Sequence, residues 1–140
     1  KMLEAAREAV SSSAQQTKLI AVTLLTSMAK QDLTELGINE SPEEMVLRLA
    51  KMTRDCGLDG VVCSAQEASL LRENCGEEFC LVTPGIRPAQ ANLDDQSRVM
   101  SPVDAINAGS SYLVIGRPVT QAKDPLQALI DINKELERMP

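Results

Sequence analysis

Two short segments carry the residues best suited to chemistry. Thr83-Pro84-Gly85-Ile86-Arg87-Pro88 and Gly116-Arg117-Pro118-Val119 each follow an apolar run, and each sets a glycine before an arginine. Glycine lets backbone N–H groups approach an anion closely, while a guanidinium adds permanent charge and forked donors, so the pair suits a phosphate. One such segment alone reads better as a surface charge beside a chain breaker; two at the ends of consecutive runs read as a grip. Thr26-Ser27-Met28 and Ser64-Ala65-Gln66-Glu67 end the other two apolar runs. The hydroxyls of Thr26 and Ser27 suit either ligand contact or the capping of a short helix near residues 29–36. Asn92-Leu93-Asp94-Asp95-Gln96-Ser97-Arg98 falls in a long connection, where a solvated loop and a lid are both at home. These ends lack a reactive group: they hold no lysine, and their one carboxylate, Glu67, heads a helix. Such a set binds but has no acid, base or nucleophile with which to react.

Composition removes several classes of function. The 140 residues contain no histidine, which argues against zinc chemistry and His-based triads. The four cysteines, Cys56, Cys63, Cys75 and Cys80, form no Cys-x-x-Cys pair, and no metal site is expected. Cys63 and Cys80 sit inside apolar runs and read as small buried hydrophobes in a reducing compartment, with a disulfide as the alternative. A net charge of −6 argues against nucleic acid and anionic membranes as partners, because those surfaces attract clustered Lys and Arg. One Tyr and one Phe leave few rings to stack on bases. No signal peptide is visible, and the apolar stretch 19–25 is far short of the ~20 residues of a membrane span. A cytoplasmic protein is expected.

The elements that must position these residues alternate regularly. Apolar β-type runs at 18–25, 59–63, 79–83 and 111–116 are each followed by a helical pattern, which predicts a parallel sheet with helical crossovers. Ser41-Pro42-Glu43-Glu44 offers an N-cap, a proline at the first helical position and a capping-box glutamate, and Cys56-Gly57 ends that helix. Ser101-Pro102 opens a short helix that stops at Ala108-Gly109, and Asp124-Pro125 opens a last helix running to about Arg138. Ser11-Ser12-Ser13 reads as a turn between helix and strand. No linker divides residues 1–140, so one domain is expected. Four βα units suit half of an eight-stranded (βα)8 barrel or a small open doubly wound sheet. The opening segment Lys1–Val10 has helical spacing without a preceding cap and favours the barrel.

The segments 21–28, 56–64, 81–88 and 112–120 together resemble bacterial orotidine 5′-phosphate decarboxylase, in order and at the expected spacing across nearly the whole chain. The resemblance implies a TIM barrel, of which this chain would be the C-terminal part, acting without a cofactor as a homodimer on a nucleotide, orotidine 5′-monophosphate. It implies that Thr26 hydrogen-bonds the pyrimidine and that Arg87, Gln96, Gly116 and Arg117 bind the nucleotide, chiefly its phosphate. The family's catalytic Asp-Lys-x-x-Asp motif has no match in these residues, so binding without catalysis is expected of them. Another phosphate-binding barrel, such as a sugar-phosphate epimerase or synthase, would share the Gly-Arg ends without needing Thr26 or Gln96. A half-barrel that only binds nucleotides is the non-enzymatic alternative.

Overall fold

The Ser41 side chain accepts a hydrogen bond from the Glu44 N–H at 3.2 Å, and the Glu44 carboxylate accepts one from the Ser41 N–H at 2.8 Å. This reciprocal cap satisfies donors that a helix leaves open at its start, and Pro42 fills a position where no N–H is needed. The helix it opens runs Pro42–Asp55 and is stopped by Gly57 at φ +76°. The same punctuation, serine or aspartate then proline, opens Pro102–Asn107 and Pro125–Glu137. In the computed structural model, which describes residues 1–13, 16–88 and 99–138, the helices are α1 (Met2–Ser11), α2 (Lys30–Glu35), α3 (Pro42–Asp55), α4 (Ala68–Cys75), α5 (Pro102–Asn107), α6 (Arg117–Thr120) and α7 (Pro125–Glu137). A 3-10 turn, Ala65–Glu67, precedes α4.

Four strands, β1 (Ile20–Val22), β2 (Gly60–Val62), β3 (Cys80–Thr83) and β4 (Tyr112–Leu113), pair in parallel in the order β1-β2-β3-β4. They are shorter than the apolar runs. The ladder nevertheless continues one step beyond them, through bonds from the N–H groups of Thr23, Cys63 and Val114 to the carbonyls of Val62, Val82 and Thr83. The register sets Ala21, Val61 and Leu81 in one row and Val22, Val62, Val82 and Tyr112 in the next, on the opposite face.

That alternation separates the two architectures the sequence allows. Val61 and Leu81 are fully buried against Leu33 of α2, Val46 and Ala50 of α3, and Ala68 and Leu71 of α4. Each large aliphatic side chain in this layer stabilises by about 1.5–3 kcal/mol relative to exposure. On the other face Val22 and Tyr112 are more than half exposed. A doubly wound sheet carries helices on both faces and reverses its strand order, giving a switch point. Here the order never reverses and the described core lies on one face, which is the arrangement of half a (βα)8 barrel.

The strand-start end of the sheet is densely tied. Arg72 of α4 donates from Nε to the Gly109 carbonyl at 2.8 Å, from Nη1 to the carbonyls of Gly76, Glu77 and Phe79, and from Nη2 to the Ser111 hydroxyl at 2.8 Å. One side chain thus fastens the connections that enter β3 and β4. Gly109, at φ +108°, must be glycine, since a Cβ there would lie 2.7 Å from the Arg72 Cγ. Gly60 is fixed differently: a Cβ would fall 2.1 Å from the backbone carbonyl oxygen of Cys80 on the neighbouring strand. Asp59 adds a further tie, accepting from the Leu19 N–H at 2.7 Å and from Arg7 at 3.2 Å. The four cysteines are free, and Cys63 and Cys80 are buried as the apolar runs predict. No described helix is long and apolar enough to cross a membrane.

Candidate functional site

Parallel pairing brings all four strand ends to one edge of the sheet. At about 4.8 Å per strand, β1 and β4 lie roughly 14 Å apart there, about the length of a nucleotide laid across the strand ends.

Thr26 lies four residues beyond β1 and is buried, at 8% exposure. The chain turns beneath it through the bond from the Met28 N–H to the Leu25 carbonyl. Neither Thr26 nor Ser27 caps α2, because its N-cap is Ala29, whose N–H is taken by the Asp32 carboxylate at 2.6 Å. The Asp32 carboxylate takes the N-cap residue's own N–H and no hydroxyl stands at the N-cap, so of the two expected roles for Thr26 the capping one is corrected.

Beyond β2, Ser64 and Glu67 form a second capping box: the Glu67 carboxylate accepts from the Ser64 N–H at 2.8 Å, and the Ser64 hydroxyl from the Gln66 N–H at 3.3 Å. Glu67 is 1% exposed, and the capping bond accounts for a carboxylate in that place. Gln66 points outward, and its side-chain amide donates to the Val99 carbonyl at 3.4 Å.

Beyond β3 the chain turns at Gly85, whose φ of +78° favours glycine. Ile86 then forms a parallel bridge with Met100, and the Arg87 N–H donates to the Met100 carbonyl at 3.0 Å. Ile86 is fully buried with Ala65 and Ala105, and Met100, Leu113 and Ile115 pack around them. This small second core lies directly under the strand ends, and its members immediately precede Arg87 and Gly116 in the chain. The arginines are therefore held on backbone that packing has fixed.

Arg87 itself is buried, at 7% exposure. Its Nη1 donates to the Ile86 carbonyl at 3.1 Å, while its Nε has no hydrogen-bond partner among the described residues. A buried guanidinium N–H without an acceptor costs free energy, and an anion is the partner that would remove this cost most completely.

Beyond β4, Gly116 adopts φ −95° and ψ −99° and is the N-cap of α6, with Arg117 as the first helical residue. A Cβ built on Gly116 would meet nothing within 4 Å, so no internal packing demands the glycine. Arg117 is half-buried. The sequence pattern did not predict α6, since Pro118 reads as a breaker; proline is in fact tolerated in the first turn. Gln96 lies outside the described residues. Among the described residues, Thr26, Arg87, Gly116 and Arg117 all stand at the strand-end edge, the two arginines on adjacent strands. The sequence reading missed the tie from Gln66 to Val99, since nothing in a Ser-Ala-Gln-Glu turn marks a contact thirty-three positions away.

None of these four residues lines the three describable cavities. The larger two flank the sheet edges, about 680 Å³ beside α1 and β1 and about 520 Å³ between β4 and α7. No group of His, Cys, Asp and Glu among the described residues is arranged to hold a metal.

Residues 1–132 match the model of the orotidine 5′-phosphate decarboxylase / HUMPS family. The chain is 61% identical over 138 residues to orotidine 5′-phosphate decarboxylase of Hydrogenovibrio crunogenus, covering 99% of this chain and 58% of that protein. It is 61% identical over 136 residues to the enzyme of the same name from Chromobacterium violaceum, covering 97% and 55% respectively. Among solved structures, orotidine 5′-phosphate decarboxylase of Lactobacillus acidophilus superposes with a TM-score of 0.77 at 41% identity, covering 96% of this chain and 57% of that one. The chain thus spans a little over half the length of the proteins it matches.

Proposed function

Because the chain belongs to the orotidine 5′-phosphate decarboxylase / HUMPS family, we propose that it is the nucleotide-gripping half of a decarboxylase that converts orotidine 5′-monophosphate to uridine 5′-monophosphate and CO2. The observation that carries this reading is the buried Arg87, its Nε unpartnered among the described residues, beyond the end of the strand that neighbours the one leading to Gly116 and Arg117. Arg87, Gly116 and Arg117 hold the phosphate, joined by Gln96. Thr26, two strands from Arg87, meets the pyrimidine. The span across the strand ends accommodates both ends of one nucleotide.

Within this reading the chain binds and does not decarboxylate. The motif Asp-Lys-x-x-Asp, to which the family resemblance assigns the reaction, does not occur in its 140 residues. Its contribution to the rate is binding energy from a phosphate remote from the reacting carbon, available to favour the transition state in a completed barrel. The half-exposed Val22, Tyr112 and Val114 are then the surface that the remaining strands of the barrel cover. The working protein is a cytoplasmic homodimer. A sugar-phosphate epimerase or synthase would use the same arginines, yet it offers no reason for identity above 60% to named decarboxylases.

The test is a chimera in which residues 1–140 replace the matching part of the Hydrogenovibrio crunogenus enzyme. It should release CO2 from orotidine 5′-monophosphate, and the unaltered 140-residue chain should not. A chimera that folds and binds uridine 5′-monophosphate but never decarboxylates would refute the reading, as would turnover by the chain alone.

A further inference from the structure

Arg87 is tied through its backbone N–H and its preceding residue to a segment that is tied in turn to the end of a different strand. Its N–H donates to the Met100 carbonyl at 3.0 Å, and Ile86 bridges Met100 in parallel. The residue before Met100, Val99, accepts the side-chain amide of Gln66 at 3.4 Å. Gln66 belongs to the 3-10 turn that follows β2, and its neighbour Ala65 is buried on Ile86 in the second core. Nothing in the capping of that turn uses the Gln66 side chain, because Ser64 and Glu67 complete the capping box between them. An exposed glutamine amide reaching across to a carbonyl thirty-three residues away is therefore not explained by local structure.

We propose that Gln66 is a positioning residue for the phosphate grip, fixing the Val99-Met100 segment and, through it, the backbone that presents Arg87. The inference rests on the phosphate-binding reading above. A guanidinium that must meet an anion needs its backbone fixed to within a fraction of an ångström. The Ile86–Met100 bridge alone ties Arg87 to a segment that would otherwise be anchored from one side. Gln66 supplies a further anchor, from the end of β2, so that the ends of two strands, β2 and β3, and the segment that enters α5 together define the position of one arginine.

Removing the amide should weaken phosphate contact without touching the pyrimidine end. In the 140-residue chain, Gln66→Met, which keeps the side-chain length and removes the donor, should weaken uridine 5′-monophosphate roughly two- to ten-fold, the range of a single hydrogen bond. Uridine, which lacks the phosphate, should bind the variant and the unaltered chain alike. In an Arg87→Met background the same change should have no further effect, since a residue that acts only through Arg87 has nothing left to position. A shift of the Arg87 Nε–H resonance in Gln66→Met, with an unchanged urea midpoint, would separate positioning from folding. The inference fails if Gln66→Met leaves the affinity for uridine 5′-monophosphate unaltered, if uridine loses as much as the nucleotide, or if the loss is equal in both backgrounds. If the unaltered chain shows no preference for uridine 5′-monophosphate over uridine, the phosphate-binding reading itself falls and takes this inference with it.

Discussion

Arg72 and Arg87 are both largely withdrawn from solvent, one at each end of the same sheet, and their hydrogen bonding is opposite. Arg72, at the end where strands begin, spends its donors on four carbonyls and a hydroxyl drawn from two connections. Arg87, at the end where strands finish, gives one described side-chain bond to the carbonyl of the preceding residue and leaves its Nε unpartnered. Residue type and burial do not distinguish them; satisfaction does. In a parallel α/β fold the strand-start end serves stability and the strand-finish end serves ligands. The contrast lets one arginine be assigned to each task from hydrogen bonding alone.

Substitution should split the two roles cleanly. The largest effect is expected for Arg72→Ala, which removes the guanidinium that several carbonyls now share; a loss of about 3–5 kcal/mol in urea-derived stability is expected, from several part-buried and exposed hydrogen bonds lost together at roughly 0.5–1.5 kcal/mol each. A loss below 1 kcal/mol would mean that water replaces the arginine, and the contrast would blur. Next in size is Arg87→Met. It should weaken uridine 5′-monophosphate by about two orders of magnitude, on the order of 3 kcal/mol for a charged contact, while stability stays level or rises because an unpartnered buried guanidinium has been removed. Falling stability with unchanged binding would invert the assignment. A smaller effect, ~0.5–1.5 kcal/mol, is expected when Thr26→Ala removes one hydrogen bond to the pyrimidine. Inorganic phosphate should bind that variant as it binds the parent.

The smallest effect concerns the cap of α3, far from either arginine. Hydrogen bonds from Ser41 hold the Glu44 carboxyl below the usual carboxylate range. A carboxyl depressed in the folded state contributes stability above its unfolded pKa and loses that contribution as pH falls through the folded value. Acid titration of Glu44→Gln should therefore show a slightly flatter decline than that of the parent. Identical acid profiles would show that the cap is too exposed to matter.

How much of this was legible in the sequence follows from how local each feature is. Helix starts were readable because Ser41-Pro42, Ser101-Pro102 and Asp124-Pro125 carry their capping chemistry within four residues. The Gly-Arg strand ends were readable for the same reason. Short strands were overestimated, since apolar character extends past the point where a neighbouring strand is available to pair. Thr26 and Ser27 resembled caps, but the helix has its N-cap at Ala29, beyond both hydroxyls. Features that depend on distant partners were invisible: Arg72 reaches across thirty-seven positions to Gly109 and Gln66 across thirty-three to Val99, and neither carries a local signature. Periodicity alone left barrel and doubly wound sheet open; the family resemblance favoured the barrel, and the register supplies the physical reason, with the buried row facing the helices while Val22 and Tyr112 stay uncovered.

The most direct test follows the arginine side-chain Nε–H resonances of the chain during titration with uridine 5′-monophosphate and, separately, with uridine. The account predicts that the nucleotide moves the Arg87 and Arg117 signals and leaves Arg72 in place, and that uridine moves none of the three. A nucleotide titration in which Arg87 stays still, or in which Arg72 moves as far as Arg87, would contradict the assignment of the strand-finish end to the phosphate.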